Sequence, residues 1–166
     1  PWSLLQERYP VGSVVRGAIR NITNFGLFIG IEEGEEKCIA GIKFIAYRVN
    51  HSLNAVGYLL SDENGTVLFS GDTGPTEKIW KKAHEADNLR AIITEVSFPN
   101  FMKDVAEVAK HLTPKSLLEE TKKMPADIPI YLYHEKIRFH GEIAKELEKL
   151  NEPRLKMLVQ GEIYEF

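Results

Sequence analysis

The strongest constraint on this 166-residue chain lies in Thr66-Val67-Leu68-Phe69-Ser70-Gly71-Asp72-Thr73-Gly74-Pro75. Thr66 to Phe69 are β-branched or apolar and predict a short buried strand, which the small pair Ser70-Gly71 then breaks. The break presents one acid, Asp72. Pro75 and Thr76 carry helix-start chemistry, and Glu77 to His84 continues with a helical pattern. A carboxylate between a buried strand and a helix N-terminus has two readings. It serves a ligand or a reaction, or it closes the turn and caps the helix; spacing alone leaves both open.

The same alternation runs on either side. Toward the N-terminus, a short helix around Leu4 to Tyr9 is expected to end at Pro10. Gly12 to Arg20 and Phe25 to Ile31 then read as a hairpin across the turn-like Asn21 to Asn24. Glu32 to Lys37 is an acidic, glycine-broken connector. Beyond it, strands are expected at Ile42–Val49, Val56–Leu60, Val67–Phe69, Arg90–Glu95 and Pro129–Tyr133. Met157–Val159 and Ile163–Phe166 would finish the sheet. Helices are expected at Thr76–Ala86, Phe101–Lys110, Pro114–Lys122 and Gly141–Leu150. Strands alternating with helices specify a layered α/β arrangement.

Composition narrows the function classes. A 43% hydrophobic, 27% charged chain of this length can build one sizeable core, and a net charge of −3 supplies no global field for nucleic acid. The single cysteine, Cys38, excludes an intramolecular disulfide and a cysteine-rich zinc module. No apolar run approaches the roughly 18 residues of a spanning helix, and Pro1 to Pro10 lacks a charged-then-apolar signal pattern. The expectation is a soluble, cytoplasmic protein that meets no membrane.

All five histidines (His51, His84, His111, His134 and His140) follow the connector. His51 and His134 each come directly after a predicted strand, as Asp72 does, so one sheet edge can collect all three. Two imidazoles and a carboxylate are borderline ligands suited to zinc, iron or manganese. His111, in a loop between two helices, can meet the same edge. Any one of these histidines taken alone reads more readily as structural or solvated; their shared placement after strands is what points to a metal. His84, beside Lys81 and Lys82 in a helix, reads as solvated.

His51-Ser-Leu-Asn-Ala-Val-Gly-Tyr, Phe69-Ser-Gly-Asp72-Thr-Gly-Pro, Glu95-Val-Ser-Phe-Pro-Asn, His111-Leu-Thr-Pro and Tyr131-Leu-Tyr-His134 resemble successive motifs of the metallo-β-lactamase superfamily. The resemblance is to its class II cyclic-nucleotide phosphodiesterases and tRNA 3′-processing endonucleases, and it spans roughly Glu36 to Phe166. It implies that His51 and His134 are ligands of different metals, that Asp72 bridges the two, and that His111 stands near the scissile phosphate. With Asp72, His111 is thus the candidate catalytic residue. The family's His-x-His-x-Asp-His motif is absent, and His51 is the first histidine of the chain. What remains implies one weakly held zinc, manganese or iron on His51, Asp72 and His134.

A second resemblance covers Pro1 to Gly34. Tyr9-Pro-Val-Gly-Ser-Val-Val-Arg16-Gly and Asn21-Ile-Thr-Asn-Phe25-Gly-Leu-Phe28-Ile resemble the first strands of the RNA-binding repeat in the largest small-subunit ribosomal protein. That repeat is an oligonucleotide-binding barrel. The resemblance implies base stacking by Phe25 and Phe28 with Arg16 nearby. The segment's three arginines (Arg8, Arg16, Arg20) are balanced by Glu7, Glu32 and Glu33, which leaves no basic groove.

These readings combine into an α/β (α+β) expectation: half of a metallo-β-lactamase αββα sandwich, a mixed sheet with helices on one face, supplemented by an N-terminal β-hairpin. Residues 1–34 and 35–166 would form one integrated unit, and the open sheet face would be closed by a homodimer. The leading functional expectation is an artificial or recombination-derived chimera, folded but without an intact active site. The alternatives are a degenerate metal-dependent phosphodiester hydrolase and a weak single-stranded RNA-binding module.

Overall fold

A computed structural model describes residues 33–52 and 55–166, which fall within one compact unit, Ile31–Phe166. The predicted hairpin, with Arg16, Phe25 and Phe28, lies outside the described residues. Among the described residues, seven strands form one mixed sheet in sequence order: β1 (Glu36–Ile39), β2 (Ile42–Arg48), β3 (Val56–Ser61), β4 (Thr66–Phe69), β5 (Leu89–Glu95), β6 (Ile130–Tyr133) and β7 (Leu155–Met157). Neighbours from β1 to β4 are antiparallel, and those from β4 to β7 are parallel. Each kind follows from its connection. Tight turns can only reverse the chain, whereas parallel neighbours need a crossover, here supplied by helices α1 (Lys78–Glu85), α2 (Lys103–Ala109), α3 (Pro114–Thr121) and α4 (His140–Leu150).

The antiparallel turns have readable causes. Asp62 Oδ1 accepts from the backbone N–H of Asn64 at 2.8 Å and of Gly65 at 3.2 Å, closing the β3–β4 turn. Between β1 and β2, Ala40 and Gly41 both take positive φ, 52° and 85°, as the primed two-residue hairpin turn requires. Here the sequence expectation is corrected: Glu36 and Lys37, read as connector, lie in β1. Their charged side chains are exposed on what is, among the described residues, an edge strand, a position where charged side chains are tolerated.

Pleating divides the sheet into two unlike faces. On one, Leu59, Leu68, Ile92, Ile130 and Leu132 are buried against Ile79, Trp80 and Ala83 of α1, Leu117 of α3 and Ile143 of α4. Each such large side chain contributes about 1.5–3 kcal/mol by leaving water. On the other, strand register places Tyr58, Phe69, Ile93 and Tyr131 in one row, and all four are half-buried. A second correction falls here. Residues 163–166 do not extend the sheet, which ends at β7; the rings of Tyr164 and Phe166 instead pack edge-on against Tyr131, at 5.6 and 5.0 Å between centroids.

Helix α1 begins at Lys78, two residues later than its pattern suggests. The Thr76 N–H is taken by the carboxylate of Glu120 in α3 (3.0 Å), which also accepts from Trp80 Nε1 at 2.7 Å. This buried acid ties the two helices together and, through Thr76, steadies the loop after β4.

Candidate metal centre

Strands β2, β4, β5 and β6 run in the same direction, so their carboxyl ends share one edge of the sheet, the usual place for a ligand in such a fold. His51 lies three residues beyond β2, Asp72 three beyond β4, Glu95 ends β5 and His134 directly follows β6. His111 reaches the same edge from the loop between α2 and α3.

Local chemistry holds each residue there. After β4, Gly71 adopts φ 63° with an ideal Cβ position 2.8 Å from the Val56 carbonyl oxygen, so neither the conformation nor the space suits a side chain. The chain then turns outward at Asp72. Asn50 binds this loop to the one carrying His51: its N–H donates to Thr73 Oγ1 (3.2 Å), its side-chain amide to the Pro75 carbonyl (2.9 Å), and its carbonyl accepts from Gly74 N (2.9 Å). Asp72 does not cap α1, whose N-cap is Glu77. That observation removes the capping explanation for the acid. His111 follows Lys110, which ends α2 in a left-handed conformation (φ 56°). The capping box of Thr113 and Ser116, with Pro114 at the first helical position, starts α3 immediately afterwards. His134 itself has φ 69°, an uncommon and strained conformation for a non-glycine residue that turns the chain sharply off β6.

The side chains converge. His51 Nε2 lies 3.5 Å from His111 Nε2, and His134 Nδ1 lies 3.4 Å from Asp72 Oδ1. Behind them is Glu95, fully buried, whose two oxygens are saturated by four donors. Oε1 accepts from His111 Nδ1 (2.6 Å) and Thr73 N (2.8 Å); Oε2 accepts from Ser97 Oγ (2.7 Å) and Leu112 N (3.1 Å). Ser97 Oγ also stands 2.9 Å from His134 Nδ1. Since the serine hydroxyl donates its single proton to the carboxylate, His134 Nδ1 is the donor in that contact, and its Nε2 is left with the lone pair. Burial lowers the His134 pKa below the ordinary value of 6.5, and the charge of Lys136 adds to this, against the pull of Asp72. The Tyr133 hydroxyl is buried without a hydrogen-bond partner among the described residues. Burial, then the charges of Asp72 and Glu95, push its pKa upward, with the nearby Asp72 carboxylate adding to the effect.

The structure thus brings together His51, Asp72, His111 and His134. His84 and His140 stay outside the cluster, bound to the Lys123 carbonyl and facing Glu135 respectively. Glu95 and Ser97 are the functional candidates that residue patterns passed over. Their one signal was an acid closing a largely buried strand, within a stretch that already carried a motif resemblance.

A cavity of 230 Å³ opens beside His111, bordered by Pro75, Asn100, Lys103, Thr113 and Lys115. A larger groove of 560 Å³ lies at the opposite end of the sheet, near Gly41, Asp62 and Asn88, away from the imidazoles.

No protein-family model matches the chain. The fold is similar to that of the metallo-beta-lactamase fold protein YhfI from Bacillus subtilis, with 14% identity, a TM-score of 0.63, and coverage of 78% of this chain and 52% of that one. It is also similar to Zn(2+)-bound PqqB from Methylobacterium extorquens (12% identity, TM-score 0.62, 82% of this chain and 55% of that one). For the short form of human tRNase Z the values are 18% identity, a TM-score of 0.51, and 70% of this chain and 39% of that one. The architecture is that of the metallo-β-lactamase fold. The chain spans about half the length of the first two proteins and less of the third. By sequence, a short N-terminal region is similar to small ribosomal subunit protein bS1 of Coxiella burnetii, 50% identical over 36 residues. That match takes in 22% of this chain and 6% of the ribosomal protein's length. Among the described residues, no helix is long and apolar enough to cross a membrane.

Proposed function

We propose that this chain carries a metal-dependent hydrolase centre that acts on phosphodiesters. The observation that supports it is the convergence of three imidazoles, His51, His111 and His134, and the Asp72 carboxylate on one sheet edge, with His111 between the other two rings. The donor set fits the ion: nitrogen and carboxylate oxygen are borderline ligands for zinc, manganese or iron. Histidines whose far nitrogens are backed by Glu95 and Ser97 are oriented as ligating histidines usually are. When bound, such an ion supplies Lewis-acid polarisation and charge neutralisation at a phosphoryl group.

The chain's own residues supply the rest. Glu95 keeps the proton of His111 on Nδ1 and turns Nε2 toward the open side. The strained backbone at His134 and the Asn50 clasp hold the remaining side chains at a common edge without further movement. The choice of phosphodiesters rests on the motif resemblance.

The test is hydrolysis of bis-p-nitrophenyl phosphate with added zinc or manganese. Metal-dependent turnover that disappears in Asp72→Ala is the expected result. The competing reading, a chimera that folds but has lost its chemistry, requires no metal-dependent turnover in the same assay. The RNA-binding reading rests on Phe25, Phe28 and Arg16, outside the described residues.

A further inference from the structure

We propose that His111 is itself a metal ligand in this chain, forming with His51 and Asp72 a single-ion set in which Glu95 acts as the orienting carboxylate; the inference rests on the metal-dependent reading above. It departs from the family resemblance, under which His111 would only face the phosphate.

The geometry of the two imidazoles carries it. The Nε2 atoms of His51 and His111 stand 3.5 Å apart, with ring planes inclined at 65°. Two ligands of one tetrahedral ion, each at about 2.0–2.1 Å, stand about 3.3–3.4 Å from one another. One donor atom from each of His51, Asp72 and His111 falls within 4.8 Å of the other two. The protonation pattern agrees. Glu95 Oε1 lies 2.6 Å from His111 Nδ1 and only accepts, so the imidazole proton sits on Nδ1 and the Nε2 lone pair faces His51. A carboxylate behind a histidine whose other nitrogen points at a second imidazole is the arrangement found behind ligating histidines.

A rival grouping of Glu95, His111 and His134 also falls within 4.8 Å. Glu95 cannot serve it, because both oxygens are already committed to four N–H and O–H donors in a site without water access. An ion there would strip buried backbone donors of their acceptor. Glu95 is therefore a positioning residue, and the ion's place is on the open side of His111.

The decisive measurement is zinc affinity by competition with a chromophoric chelator, on the wild type and on His111→Ala, Glu95→Gln and the control His84→Ala. His111→Ala is expected to lose at least about 100-fold in affinity, and Glu95→Gln about 10- to 100-fold. His84→Ala should match the wild type. Long-range 1H–15N spectra of the wild type give a second readout that needs no variant: zinc should shift the His111 Nε2 resonance while Nδ1 stays protonated. Wild-type affinity in His111→Ala, or zinc shifts confined to His51 and His134, overturns this assignment and leaves the metal-dependent reading standing. A wild type that binds no zinc overturns both.

Discussion

Replacing Glu120 by alanine should destabilise the protein by about 3–5 kcal/mol, whereas replacing it by glutamine should cost only about 1 kcal/mol. The difference follows from how its two oxygens divide their partners. Glu120 is 2% exposed, and Oε2 receives both buried donors, the Thr76 N–H at 3.0 Å and the Trp80 indole N–H at 2.7 Å. Oε1 receives only the Lys123 ammonium, at 2.7 Å. Alanine removes the acceptor for both buried donors, each worth about 1–3 kcal/mol when left unpaired, and opens a small void between α1 and α3. Glutamine can keep its carbonyl oxygen at the Oε2 position and serve both. Its amide then faces Lys123, whose ammonium is partly exposed and already lies 2.7 Å from Glu77 Oε1, so the cation has another partner. Urea denaturation at neutral pH, followed by far-ultraviolet circular dichroism, reads both values from the midpoints at constant slope. In thermal melts, about 2–4 °C per kcal/mol is expected for a domain of this size. Equal destabilisation by the two substitutions would refute the division of roles. A loss below about 1 kcal/mol in the alanine variant would refute the burial argument as a whole.

Two further outcomes are expected. Gly57→Ala places a Cβ 2.3 Å from Ile79 Cδ1 and 2.7 and 2.8 Å from the carbonyl oxygens of Ser70 and Phe69, so the strand must shift; urea melts should register a loss of about 1–3 kcal/mol, and a neutral result would mean that β3 can yield there. The lowered His134 pKa sets a pH dependence in the metal-free protein. The unfolded chain takes up this proton more readily than the folded one, so stability is complete above the ordinary histidine value near 6.5 and is lost as pH falls from there through the lowered folded value. His134→Gln should flatten that limb of the urea midpoint against pH, and an unchanged slope would assign the limb to another group.

The residues that locate the candidate site were legible because their signals are local. Period-two alternation, the Ser70-Gly71 break and the single residues Asp72 and His134 after apolar runs are all contained within a few positions, and they place the chemistry at strand ends. Motif resemblance added the expectation of a metallo-β-lactamase fold, which the similarity of architecture supports. Local signals also misled where charge stood in for irregularity. Glu36 and Lys37 read as connector because nothing in the sequence announces an edge strand that exposes both side chains.

What the sequence determined by itself was which residues end the strands and which could bind a cation. Tertiary structure decided which of them meet. His51 and His111 are separated by 60 positions and come within 3.5 Å only because β2 and β5 run the same way through the sheet while the left-handed residue Lys110 turns the chain back from α2. The same is true of Glu95. An acid at the end of a strand is ambiguous until its four donors arrive from the β4–α1 loop, from Ser97 and from the entry to α3. Alternation and turn preference act over a few bonds and can be read along the chain. The state and purpose of a buried carboxylate depend on the partners that folding brings to it, and those are fixed by strand pairing and helix packing over the whole domain.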